Sequence, residues 1–305
     1  MEQDCGTKTS FALSSCPMLY TPDKVNLHTH SFYCKHGTGT IAEYVEQSKA
    51  EGLTLLGFSE HCPLPDREYQ KGNRMDYPEL PLYEADIRAA QTKEQSKYTT
   101  ETEDKEKKIT ILLGAECDWL PEEKSFYEDL LQKRNYDYLC CSVHHMYDPV
   151  KGKENFLGAF TTLPLGHLLE YVKLYTDALR SGIFTFGCHP DIFLAGYRRW
   201  DDDAIEASTD ILQCAKQCDI PLEINDNGLR KRPITAEDGT IRQPYPVKEF
   251  WLLAKEIGTK IVTNSDAHRP IDVAAHKRNA FTFAKENNLN LCSWELDSKG
   301  KLHIE

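Results

Sequence analysis

Val25-Asn26-Leu27-His28-Thr29-His30 is a short apolar run ending in two histidines spaced two apart. Side chains alternate along an extended segment, so His28 and His30 point the same way. Similar runs recur at Leu53–Phe58, Ile109–Leu113, Tyr138–Val143, Phe184–Gly187, Leu222–Ile224 and Lys260–Thr263. Between them lie helical patterns over Ile41–Glu51, Tyr83–Lys97, Phe126–Lys133, Leu165–Ser181, Asp203–Gln217 and Val247–Ile257. Strand–helix alternation predicts an α/β fold with a parallel sheet. Near-continuous apolar strands predict a sheet covered by helices. Seven such runs suit a closed or nearly closed barrel. No Gly-rich phosphate loop follows the first run, which argues against an open dinucleotide-binding sheet.

The 305 residues fit one such domain over 23–305, preceded by an irregular extension over 1–22. Hydrophobic residues at 40% and charged residues at 28% suit a globule with a sizeable core. A net charge of −12 argues against nucleic acid as partner. It does not exclude an anionic substrate, because bound cations invert the local charge. The eleven cysteines are scattered, most within apolar runs, and two are adjacent (Cys140, Cys141). That reads as buried thiols in a reducing, cytoplasmic setting rather than a disulfide framework. Cys214 and Cys218, four apart on a helical pattern, read as core packing ahead of a redox or metal pair. The N-terminus shows no targeting signal and no run is long enough to span a membrane. Residues 63–81, rich in Pro, Tyr and charge, predict a long loop over the site, and 91–108 a polar surface segment.

Almost every run ends in a histidine or an acid: His28/His30, Glu60-His61, Glu116/Asp118, His144-His145, His189/Asp191 and Asp266/His268. In a parallel barrel all strand C-termini share the face that carries the active site. A single histidine at a strand end is ordinarily a hydrogen-bonded structural residue. Seven of eleven (His28, His30, His36, His61, His144, His189, His268), in phase with acids, point instead to metal ligation. Imidazole with carboxylate suits zinc, manganese or iron. The set exceeds the four ligands of one tetrahedral ion, so two or three divalent ions are expected. His167, His276 and His303 lie outside the pattern. His144 is preferred to His145, which points the opposite way on a continuing strand. Glu60 is left as ligand, as partner behind a histidine, or as packing.

These motifs resemble the polymerase and histidinol phosphatase (PHP) family. The matching segments are His28-Thr29-His30 with His36, Ser59-Glu60-His61, Gly114-Ala115-Glu116, Ser142-Val143-His144, His189-Pro190 and Asn264-Ser265-Asp266-Ala267-His268. Within the family the chain is most similar to the stand-alone histidinol-phosphate phosphatases, through Glu223-Ile224-Asn225 followed by Gly228-Leu229-Arg230. Asp226-Asn227 departs from the smaller polar residues expected between them. The resemblance implies a distorted (β/α)7 barrel with a trinuclear site. It places one ion on His28, His30, Glu116 and Asp266, a second on Glu116, His144 and His189, and a third on His36, His61 and His268.

It also implies a phosphomonoesterase acting on L-histidinol phosphate, a small-molecule step of histidine biosynthesis. Cations at such a site activate water and neutralise the phosphoryl group. Arg230 is the candidate for a remaining phosphate oxygen, since guanidinium grips phosphate bidentately. That assignment comes mostly from the resemblance; the alternative is a surface arginine in the run Arg230-Lys231-Arg232. Arg198 and Arg199 are weaker candidates, and Asp266 is a candidate proton carrier as well as ligand. Asp191, Glu223 and Asp226 are expected to attract the amine, and aromatics of the 63–81 loop to cover the imidazole. Alternatives are another small phosphate ester, a phosphodiesterase on the same metals, or a metal-binding regulatory module. The segment Cys140-Cys141-Ser142-Val143-His144-His145 lacks the bridging lysine or carboxylate that an amidohydrolase usually carries there.

Overall fold

The computed structural model describes residues 17–65, 72–97, 108–148 and 152–305. Seven strands form one parallel sheet: β1 Val25–Asn26, β2 Leu55–His61, β3 Thr110–Asp118, β4 Tyr138–Ser142, β5 Phe186–Gly187, β6 Leu222–Asn225 and β7 Ile261–Asn264. They lie side by side in chain order. The sheet closes where Thr29 bridges Ala267 in parallel, with His30 N donating to Ala267 O at 2.8 Å. Below that bridge the ladder is replaced by side chains. Asn264 Oδ1 accepts Leu27 N at 2.7 Å, and Asn26 Oδ1 accepts Ser265 N at 3.0 Å. Two asparagines thus satisfy backbone groups that a distorted seam would otherwise orphan.

The six helices expected from periodicity are present between the strands, shifted by a few residues at their ends. Ile41–Ala50 starts in a capping box, Thr40 with Glu43. Pro81 opens the helix Leu80–Ser96 rather than ending the loop before it, as suits proline in a first turn. That helix also takes in Gln91–Ser96; the remainder of the polar segment, 98–107, lies outside the described residues. The strand expected over Phe184–Gly187 shortens to two residues.

The barrel interior follows the period of two. Leu112, Gly114 and Glu116 alternate inward on β3, from core to mouth. At the closed end Leu27, Leu55, Tyr138, Phe186 and Val262 pack with Trp294, Leu296 and Leu302. Trp294–Leu296 pairs with Leu302–Ile304 and with Met18–Tyr20. Met18–Tyr20 falls in the stretch read as irregular; it is a strand because its partner comes from the far end of the chain. The hairpin His145–Asp148 with Gly152–Gly158, inserted after β4, was also not evident from the sequence. Among the described residues no helix is long and apolar enough to cross a membrane. The nine described cysteines are free thiols, and Cys214 packs against the neighbouring helix, its Sγ 3.6 Å from Thr176 O.

The Tyr138 ring fills the barrel between core and mouth, its hydroxyl donating to Leu27 O at 2.7 Å. Gly57 and Gly114 leave room for it, since a Cβ at either would overlap the ring. Gly114→Ala is therefore expected to destabilise the fold by about 1–3 kcal/mol through overpacking. Chemical denaturation checks this; an unchanged unfolding midpoint would show that the interior yields.

Candidate metal centre

Glu116 stands at the mouth end of β3, fully buried, with rings converging on both its oxygens. His61 sits beside it in register on β2, its Nδ1 2.7 Å from Oε2. His28 and His30 place their Nε2 atoms 3.5 Å from the same oxygen. On the other side His189 Nε2 is 3.0 Å and His144 Nε2 3.4 Å from Oε1. Asp266, at the end of β7, directs Oδ1 to His30 Nε2 at 3.2 Å and His28 Nε2 at 3.7 Å.

Four of these atoms are buried with close polar neighbours but no well-aligned hydrogen bond: His28 Nε2, His30 Nε2, Glu116 Oε2 and Asp266 Oδ1. Buried polar atoms are seldom left so. Their spacing answers the question. Nitrogen and oxygen ligands about 2.0–2.1 Å from a tetrahedral ion lie about 3.3 Å apart. The observed separations of 3.5, 3.5, 3.7 and 3.2 Å fit that geometry. These four residues are the set expected to hold the first ion.

Ring orientation carries the same message. His28 Nδ1 is held by Glu223 Oε1 at 2.9 Å, so its Nε2 lone pair faces inward. His36 Nδ1 lies 2.9 Å from Cys34 O and His268 Nδ1 3.2 Å from Asp266 O. Carbonyls only accept, so both rings carry their proton on Nδ1. Their bare Nε2 atoms then face one another at 2.9 Å, which is repulsive unless a cation joins them. His30, His61 and His268 also present nitrogens within 4.8 Å of one another. His61 therefore stands between the third group and Glu116.

The electrostatics fit a site that trades protons for metal. Burial works against charge on His30, but Asp266 and Glu60 outweigh it and raise its pKa to about 9. Burial pushes His144 down to about 4; burial, then the charge on His30, push His268 down to about 3. Burial also opposes ionisation of Glu116, yet the surrounding rings hold it well below the usual carboxylate range. Two ligands sit on strained backbone, His189 at φ 28° and Asp266 at φ 46°. Strain of this kind costs about 1–3 kcal/mol per residue and concentrates at functional sites.

Above the ligands lies a cavity of about 750 Å³. Arg74, Arg198, Lys231 and Arg232 contribute basic lining, and Phe160, Ile192 and Tyr245 an apolar wall. Asn73 and Arg74, from the segment expected to form a long loop over the site, line the cavity; residues 66–71 of that segment lie outside the described ones.

Residues 26–227 match the PHP domain. The chain belongs to the PHP domain family. A probable histidinol-phosphatase of Deinococcus radiodurans is 30% identical over 247 residues, which cover 81% of this chain and 86% of that protein. Two solved structures share the fold with a TM-score of 0.64. One, assigned as the histidinol phosphatase HisK of Listeria monocytogenes, is 21% identical and covers 84% of this chain and 98% of its own. The other is the histidinol phosphate phosphatase of Lactococcus lactis in complex with zinc, L-histidinol and phosphate. It is 19% identical and covers 92% of this PHP chain and 99% of its own.

The structure gathers all nine residues read as ligands at one mouth, and Glu60 falls behind them. Its Oε1 accepts Ser31 N and Oγ at 2.5 and 2.6 Å, and its Oε2 lies 3.7 Å from His30 Nδ1. Arg230 departs from the expectation. Its Nε donates to Asp226 at 2.8 Å, Nη1 pairs with Asp272 at 3.2 Å, and Nη2 donates to Ser265 O and Asp266 O. The guanidinium is consumed beside the cavity rather than lining it. Nor do the three acids expected to attract an amine face the cavity. Asp191 accepts Val247 N and Trp251 Nε1, Glu223 holds His28, and Asp226 holds Arg230. Asp118 was not assigned a role; it accepts His144 N at 2.7 Å and His145 Nδ1 at 3.2 Å. Only the tertiary fold brings these together.

Metal must displace the proton that His30 holds below about pH 9, so affinity should fall about tenfold per pH unit for each such proton. Chelator-competition titrations are expected to give binding at least about 10²-fold weaker at pH 6 than at pH 8. Equal affinity at the two would contradict the proton-for-metal exchange.

Proposed function

We propose that this chain is a metal-dependent phosphomonoesterase that hydrolyses L-histidinol phosphate to L-histidinol and phosphate, a step of histidine biosynthesis. The carrying observation is the set of four orphaned, tetrahedrally spaced ligand atoms beneath a cavity with basic and apolar sides. The name of the Deinococcus relative supports the reaction, and the zinc, L-histidinol and phosphate of the Lactococcus structure support metal and substrate. Two or three ions suit the nine ligands, with zinc favoured over iron or manganese by that structure. Free thiols throughout the described chain suit a reducing compartment such as the cytoplasm.

Bound divalent ions supply Lewis acidity, drawing the pKa of water to about 7 and neutralising phosphoryl oxygens. The chain does the rest. His28, His30, His36, His61, Glu116, His144, His189, Asp266 and His268 hold the ions. Arg198, Lys231 and Arg232 are placed to take phosphate oxygens, the role first assigned to Arg230. Phe160 and Tyr245, which line the cavity, are the candidates to pack on the imidazole. Asp266 serves as ligand alone, because Asn225 and Asn227 both donate to Oδ2 and Oδ1 faces the ligand rings. His145 lines the cavity, its Nδ1 3.2 Å from Asp118 Oδ2, and is the candidate to return a proton to the departing alkoxide.

Phosphate release from metal-analysed protein against L-histidinol phosphate, sugar phosphates, nucleotides and a diester tests the reaction. Selective turnover of L-histidinol phosphate is expected; preference for another ester would discard that substrate, and inertness at full metal loading would favour a regulatory module. Arg198→Met should lower kcat/KM roughly 10²-fold, matching a lost charged hydrogen bond of about 2–3 kcal/mol. An unchanged kcat/KM would remove Arg198 from phosphate binding.

A further inference from the structure

Asp266 is the ligand whose side chain and backbone are both gripped by one neighbouring turn, Asn225–Arg230. Asn225 Nδ2 and Asn227 Nδ2 each lie 3.1 Å from Asp266 Oδ2. Two amide donors engage both lone pairs of that oxygen. Oδ1 receives no hydrogen bond and faces His28 and His30. The donors are themselves fixed. Asn227 N donates to Asn225 Oδ1 at 2.9 Å, and Asn225 Nδ2 also reaches Glu223 Oε2 at 2.8 Å. Glu223 in turn holds His28, so one carboxamide ties two ligands together.

Arg230 ends the same turn. From there its guanidinium reaches the carbonyls of Ser265 and Asp266, where the backbone takes φ 46°. Asp226 and Asp272 neutralise it from either side. Its charge is thus spent on the strained bend and not on the cavity.

We infer that Asn225–Arg230 is a clamp that makes Asp266 a one-oxygen ligand, with Asn227 and Arg230 as positioning residues for metal rather than substrate. A carboxylate free to rotate can swing between one- and two-oxygen ligation. Pinning Oδ2 removes that freedom before metal arrives, so less order is lost on binding. The inference rests on the metal centre but not on the identity of the substrate, so each fails separately.

Apoprotein titrated with zinc against a competing chelator tests it. Asn227→Ala is expected to weaken one class of zinc site by about 10- to 100-fold, the usual cost of losing a partner behind a ligand. Excess zinc should restore its kcat. Arg230→Met should weaken zinc while leaving the Ki for inorganic phosphate, measured on zinc-saturated enzyme, within about twofold of wild type. Wild-type zinc affinity in Asn227→Ala would overturn the clamp. So would an Arg230→Met enzyme with intact zinc affinity and a phosphate Ki raised tenfold. If Arg230→Met does not fold, Asn227→Ala decides alone, since Asn227 borders the open cavity.

Discussion

A fully buried carboxylate cannot stay ionised in an apolar barrel without positive charge around it. Glu116 imposes that constraint here. Four strands answer it by ending in the rings of His28, His30, His61, His144 and His189. The rings leave lone pairs facing inward, and the carboxylates leave oxygens unpaired. The mouth of the barrel therefore presents a donor set that suits divalent cations. The barrel's closed end carries the opposite character, an apolar plug of Tyr138, Phe186 and Trp294. Apolar packing fills one end, and the buried ligand cluster, with His189 and Asp266 at positive φ, occupies the other.

Much of this was legible in the sequence, for a physical reason. Strand runs carry their own signal, and a period of two fixes which residues share a face. His28 with His30 could therefore be aligned without coordinates, whereas Asp266 leaves extended backbone at φ 46°. The parallel topology then sends every strand end to one mouth, which collects His61, Glu116, His144 and His189. The family motifs added a grouping of the ligands into three sets, which stands as a proposal.

What escaped depends on direction rather than identity. Nothing local says that Arg230 turns back onto Ser265 and Asp266 instead of into the cavity. Asp191 and Asp226 follow strands as the ligands do and Glu223 lies within one, yet each is spent on an internal partner. Met18–Tyr20 shows no strand signature by itself, because its pairing residues, Trp294–Leu296, lie at the other end of the chain. Asn225 and Asn227 were visible as residues, but their donation to Asp266 exists only once β6 and β7 lie side by side.

X-ray absorption at the metal edge of the purified protein tests the centre most directly. The proposed ligand set around Glu116 predicts two or three ions per chain, each with nitrogen and oxygen neighbours only. It excludes sulfur, although Cys34 and Cys188 lie close to ligand atoms. Less than one ion per chain, or sulfur in the scattering shell, would contradict a metal centre built on Glu116.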